Sequence, residues 1–282
     1  MFLNSVEQLL RRKIVLTAVI ATVVFLGLYW WGVSAASKAD LHMGQHQADM
    51  AVDMLGPADA ALAAIITAGP LAATLVTALI IVIGSTMLPE EIEQGRMPFW
   101  LSLPQTRFKV YLSVGLAPLA VSYVLSLILF GGIFIITRIY FPFVPKDIPL
   151  VFISMFLWLI VIWSAVTLLS LVIKKVASML IAFFLAAVAS LFGGMHEMIQ
   201  MFPGDAPDVL VTITNTIIYI FPADRGYRGV IYGMIPRNAV ITENLAFFGV
   251  TSSVPPIHLI YAFAWSLILL SIGYLKFKRI DF

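Results

Sequence analysis

An all-α integral membrane protein is the fold class this sequence predicts. Hydrophobic residues make up 61% of the 282 positions and charged residues only 11%, where a soluble domain carries about 25% charged. Several charge-free apolar runs exceed the roughly 18 residues that mark a spanning helix. The alternating segments of an outer-membrane barrel, roughly ten residues each, are missing. The chain has no cysteine, so disulfide and thiolate chemistry are excluded. Its net charge of +2 gives no argument for nucleic acid, because in a membrane protein the placement of charge tells more than its sum.

Residues 1–13 set Phe2, Leu3, Val6, Leu9 and Leu10 at helical spacing against Asn4, Glu7, Gln8 and Arg11, and close on Arg11-Arg12-Lys13. This predicts an amphipathic helix lying in the membrane interface. The first span follows from Ile14 to Ala35, 22 residues, too long for the h-region of about 7–15 that a signal peptide uses. Five more apolar runs predict spans at Ala60 to Leu88, Val110 to Thr137, Ile148 to Ile173, Val176 to Met195 and Ile257 to Leu275. Gly69-Pro70 and Pro118 lie inside two of them, where kinks are expected. Lys174-Lys175 alone separates the fourth from the fifth, so that pair is a tight turn. Residues 196–256 form a large segment between the last two spans. Within it Val209 to Phe221 is an apolar run of 13 residues, a length that suits a re-entrant or interfacial helix, ended by Pro222. No repeat or linker is visible, so residues 1–282 form a single membrane domain.

The segment 89–109 is short, charge-dense and punctuated by Gly and Pro. Pro89 followed by Glu90, Glu91 and Glu93 fits a helix start, with acidic side chains beside the positive end of the dipole. Gly95 permits a break, Phe99 to Leu103 stops at Pro104, and Thr106 fits the cap of a helix beginning near Arg107.

Lys and Arg distribute unevenly. The side holding both termini and 89–109 takes eleven of the 17, with five of the 15 carboxylates; the other side takes six and ten, for net charges of +6 and −4. The positive-inside rule makes the termini and 89–109 cytoplasmic.

The six runs contain no Asp, Glu, Lys or Arg. A coupling ion needs such groups near the midplane, so an ion gradient is disfavoured as an energy source. No Gly is followed by Lys, so the phosphate loop of an ATPase is absent and any energy must come from a partner. His196-Glu197 opens like a zinc-protease helix, but Gln200 stands where the second His belongs. Met43, His46, Met50 and Met54 share a face if their segment is helical. Thioethers with imidazole suit copper(I) or a haem edge; flexible packing under an outer cap is the alternative.

Glu91-Ile92-Glu93-Gln94-Gly95-Arg96, Leu101-Ser102-Leu103-Pro104 and Thr106-Arg107 resemble the pattern of type-two (ABC-2) ABC transporter permeases between their second and third spans. Arg11-Arg12-Lys13 closing the first helix is similar to that family's elbow, and Gly273 to Asp281 is similar to its closing helix and basic tail. Arg96 stands where the family commonly has Thr, and the Gly-Lys that often follows its Arg is missing. The resemblance implies a permease half in a prokaryotic inner membrane, paired with a second permease subunit, most simply a homodimer. Two separate ATP-binding subunits would hold ATP and Mg, this chain binding no cofactor. An outer-side accessory protein and membrane lipid complete the implied partners. Segment 89–109 would be the coupling helix, with Glu90, Glu91, Glu93, Arg96 and Arg107 as polar contacts, Phe99, Trp100 and Leu101 as the apolar anchor, and Gly95 and Pro104 as breaks. A solvated acidic face is the other reading of the carboxylates. The charge-free spans favour export of a hydrophobic or amphipathic substrate, a drug or lipid. A copper- or haem-related maturation system and a non-transporting scaffold are the alternatives.

Overall fold

The computed structural model describes residues 2–43, 57–102, 106–201, 207–238 and 254–280. Among them lie α1 (Phe2–Leu10), α2 (Lys13–Met43), α3 (Pro57–Glu93), α4 (Met97–Ser102), α5 (Arg107–Tyr140), α6 (Ile148–Val172), α7 (Lys175–Met201), α8 (Asp208–Ile220), α9 (Ala223–Met234) and α10 (Pro256–Lys278). Helices α2, α3, α5, α6, α7 and α10 are long and apolar enough to cross a membrane. The described residues contain no strand, only a bridge between Pro145 and Pro236.

Helix α6 is the centre of the bundle. Trp158, Leu159, Val161, Trp163 and Val166 are all buried, packed against α3, α5, α7, α9 and α10. Helix α2 is the opposite case, with most of its apolar surface exposed. The ends of α1, α3 and α10 and the starts of α2, α5 and α7 meet on one face, held by side-chain contacts among Arg12, Glu90 and Lys175 and by Arg107 to the Lys278 carbonyl. We call this the terminal face and its opposite the distal face.

Local signals account for much of the helix punctuation. Thr106 caps α5 by accepting from the Lys109 N–H, and Asp147 caps α6 by accepting from that of Leu150. Lys174 sits in the short turn into α7. Three features depart from expectation. Pro89 does not start a helix: α3 runs through it to Glu93. The carboxylates therefore occupy a helix C-terminus, where the dipole is unfavourable to them, and ion pairs with Arg96, Arg12 and Lys175 offset this for Glu90 and Glu91. Helix α7 extends past Met195 to Met201, so His196 and Glu197 belong to a span-length helix.

The third departure is α9, which sequence reasoning missed. It runs antiparallel along α6, with Gly233 against Asp147 and Val151, Gly229 against Ser154, and Gly226 against the Trp158 backbone. A Cβ at Gly226 would lie 2.7 Å from Trp158 Cα, so the stripe at i, i+3, i+7 is what allows the approach. Trp158 lies about 15 Å along α6 from Ile148, and α9 reaches that depth before returning to the distal face. There the Lys146 N–H donates to the Ile235 carbonyl (2.9 Å) and the Arg237 N–H to that of Val144 (2.9 Å). Helices α8 and α9 thus form a hairpin set into the bundle from one face.

Candidate functional site

Helix α3 ends in a Schellman arrangement. Gly95 has φ +65°, its N–H donates to the Ile92 carbonyl (3.1 Å), and the Arg96 N–H donates to that of Glu91 (3.1 Å). The first and last positions of this cap are normally joined by an apolar contact. Here Arg96 and Glu91 make an ion pair instead, Nη2 to Oε1 at 2.5 Å and Nε to Oε2 at 3.0 Å. Trp100 of α4 donates its indole N–H to Glu91 Oε2 (3.0 Å), and Gln8 of α1 donates to Oε1 (3.3 Å). The buried carboxylate thereby accepts four hydrogen bonds, enough to offset its desolvation.

Glu90 faces the other way. Arg12, at the corner between α1 and α2, pairs with one of its oxygens and Lys175, at the start of α7, with the other, the latter at 2.5 Å. Two adjacent carboxylates thus tie α3 to α1, α2, α4 and α7. Met97 completes the attachment of α4, buried with Leu9, Met87, Leu88, Val110 and Phe277. Arg107 Nη1 donates to the Lys278 carbonyl (2.9 Å), joining α5 to α10.

The residues expected to act together divide into two groups. Glu91 is buried, Glu90, Arg96 and Trp100 are half-buried, and all four hold the segment in place. Glu93, Gly95, Phe99 and Arg107 are exposed, as are their neighbours Gln94, Pro98, Ser102 and Phe108. Phe99 is 65% exposed and sits edge-on to Trp100, ring centroids 5.6 Å apart. The side chain of Leu101 and the whole of Pro104 lie outside the described residues. The result is a firm platform whose outer face carries Phe99 between polar neighbours.

A second charge cluster lies toward the distal face. Arg228 Nε donates to Asp224 Oδ2 at 2.5 Å along α9, and Arg225 Nη1 stands 3.6 Å from Glu197 Oε1 of α7. All four side chains are buried. The Asp224 carboxylate occupies the space that a Cβ on Gly193 would fill. Ionisable groups therefore do enter the bundle, which corrects the expectation drawn from charge-free runs, although these groups are paired with one another. Signals present in the sequence were the Gly226, Gly229, Gly233 stripe and the Asp224–Arg228 spacing of i, i+4.

Among the described residues no group of His, Cys, Asp and Glu could hold an ion. His196 is occupied by a hydrogen bond to Gln200 (2.8 Å), the residue that replaces the second zinc histidine. His46, Met50, Met54 and the side chain of Met43 lie outside the described residues.

A family model described as ABC-2 family transporter protein matches residues 3–282. No curated protein matches the chain.

Proposed function

We propose, on the premise that the chain belongs to the ABC-2 transporter family, how this membrane permease subunit of an ABC transporter is driven. The family's permeases carry no ATPase of their own. In our reading a separate ATP-binding subunit docks on the terminal face and pushes the segment 89–109. Phe99 enters the partner, Glu93, Gln94, Ser102 and Arg107 surround it, and Glu90, Glu91, Arg96 and Trp100 transmit the displacement. The terminal face is cytoplasmic, in a prokaryotic inner membrane. Two such chains work with two ATP-binding subunits to export a hydrophobic or amphipathic substrate.

The observation that carries this reading is the tie made by Glu90 and Glu91. A platform bonded to α1, α2, α4 and α7 cannot move alone, and packed helices convert a small push into a shift between discrete arrangements. Gly95→Pro tests it, because proline demands φ near −65° where the cap needs +65°. ATP hydrolysis by the co-purified ATP-binding subunit should lose its dependence on the permease while the complex stays assembled. Unchanged hydrolysis would leave a non-transporting scaffold as the better reading.

A further inference from the structure

In its distal half helix α2 is held by specific contacts. Tyr29 meets Thr137 (2.5 Å), Trp30 donates to Tyr140 (2.7 Å), and Leu26 packs where a Cβ on Gly132 would fall. Nearer the terminal face Val15 is buried in the cluster that holds Ile83 and Val114, and beside it α2, α3 and α5 leave a cleft of about 210 Å³ lined by Ala18 and Thr22, Leu79 and Val82, and Leu125 and Leu129. Apolar cavities of about 150 Å³ already stay dry and take a hydrocarbon guest. The two hydroxyl protons of its walls are committed to the helix backbone: Thr17 donates to the Lys13 carbonyl and Thr22 to that of Ala18, each at 2.9 Å. The walls carry no charged side chain and are otherwise aliphatic.

The mouth is different. Ile14, on the cleft wall, directly follows Arg11-Arg12-Lys13. Arg12 is committed to Glu90. Lys13 is exposed and makes no ion pair among the described residues, and Arg11 pairs only with exposed Glu7, a contact of little strength that a phosphate can displace. From Ile14 to Thr22 the helix rises about 12 Å, close to the depth of one hydrocarbon leaflet, about 15 Å. Basic residues directly before the wall of an apolar cleft about one leaflet deep match the charge and shape of one class of ligand.

We propose that this cleft is a specific site for one anionic phospholipid, its acyl chain between α2 and the α3–α5 pair and its phosphate on Lys13 and Arg11. The site is separate from the coupling platform and does not depend on which substrate is carried. Native mass spectrometry of the full-length chain in detergent tests it with phosphatidylglycerol and phosphatidylcholine of equal chain length. Phosphatidylglycerol should be retained at one per chain under conditions that strip phosphatidylcholine. Lys13→Gln should weaken its retention about fivefold, the weight of one basic residue at an anionic surface, and leave phosphatidylcholine unchanged. Ala18→Phe, which fills the cleft from a peripheral helix, should abolish retention with the helical circular dichroism intact. Equal retention of the two lipids, or retention that survives Ala18→Phe, overturns the proposal. The chain has no cysteine, so Ala21→Cys in vesicles adds a second reading. A disulfide between copies at that position would show the cleft covered by another chain and also overturn it.

Discussion

Two charge networks sit toward opposite faces of this bundle, each built on two carboxylates, and they are held on different terms. On the terminal face Glu91 accepts four hydrogen bonds, while Glu90 shares Arg12 with the interfacial corner and Lys175 with α7, both cations still partly in water. Toward the distal face Asp224, Arg225, Arg228 and Glu197 are all buried, and the Arg225–Glu197 separation of 3.6 Å is too long for a hydrogen bond. A network that keeps contact with solvent can be rearranged by a docking partner at modest cost. A network sealed between helices gains little by moving and loses much by losing a member. That contrast is what the proposed coupling role of the terminal network requires, and the distal network ties α9 to α7.

The largest effect should come from Asp224→Ala. Removing one partner of a buried pair costs about 3–5 kcal/mol, seen as a lowered unfolding midpoint of the detergent-purified chain. Survival of the variant at the parental midpoint would break the contrast at its strongest point. Gly226→Val comes next, since its side chain must push against the Trp158 backbone 2.7 Å away, an overpacking penalty of about 1–3 kcal/mol. Gly131 provides the control, because a Cβ there meets nothing within 4 Å. Gly131→Ala should be neutral or stabilising by up to about 1 kcal/mol, and equal destabilisation of the two glycine variants would remove the close-approach argument for α9.

Glu91→Ala belongs to the other network and should cost about 1–3 kcal/mol through the unpaired Trp100 and Gln8 donors. Its distinguishing readout is uncoupling: ATP hydrolysis should stop responding to the permease even at temperatures where the variant remains folded. Phe99→Ala should have the smallest stability effect, within about 0.5 kcal/mol for an exposed site, yet it should weaken binding of the ATP-binding subunit in a pull-down. A stability loss without a binding loss would place Phe99 with the internal supports instead of on the docking face.

Legibility followed the range of the interactions. The Gly95 break, the Thr106 cap and the Lys174-Lys175 turn depend on residues within a few positions of each other, so their patterns could be read directly. Pro89 was misread because the helix start it suggests is also local, whereas the contacts that hold α3 just beyond it reach Glu90 from Arg12 and Lys175, 78 and 85 residues from that carboxylate. Helix α9 was missed for a related reason. Asp224, Arg225 and Arg228 look like a solvated surface until Gly193 and Glu197 of α7 are placed beside them.

By itself the sequence determined the class of the protein, its number of long apolar helices and the breaks between most of them. Hydropathy over about 20 residues and the chemistry of caps are properties of a one-dimensional string. Only the tertiary structure decided which charges face inward. Burying a carboxylate is unfavourable until its cations and donors arrive, and for Glu197 of α7 the cation arrives from α9, as Arg225. Glu91 is buried with Arg96 and Trp100 as its partners, while Phe99 and Phe108 stay exposed among the described residues of the segment.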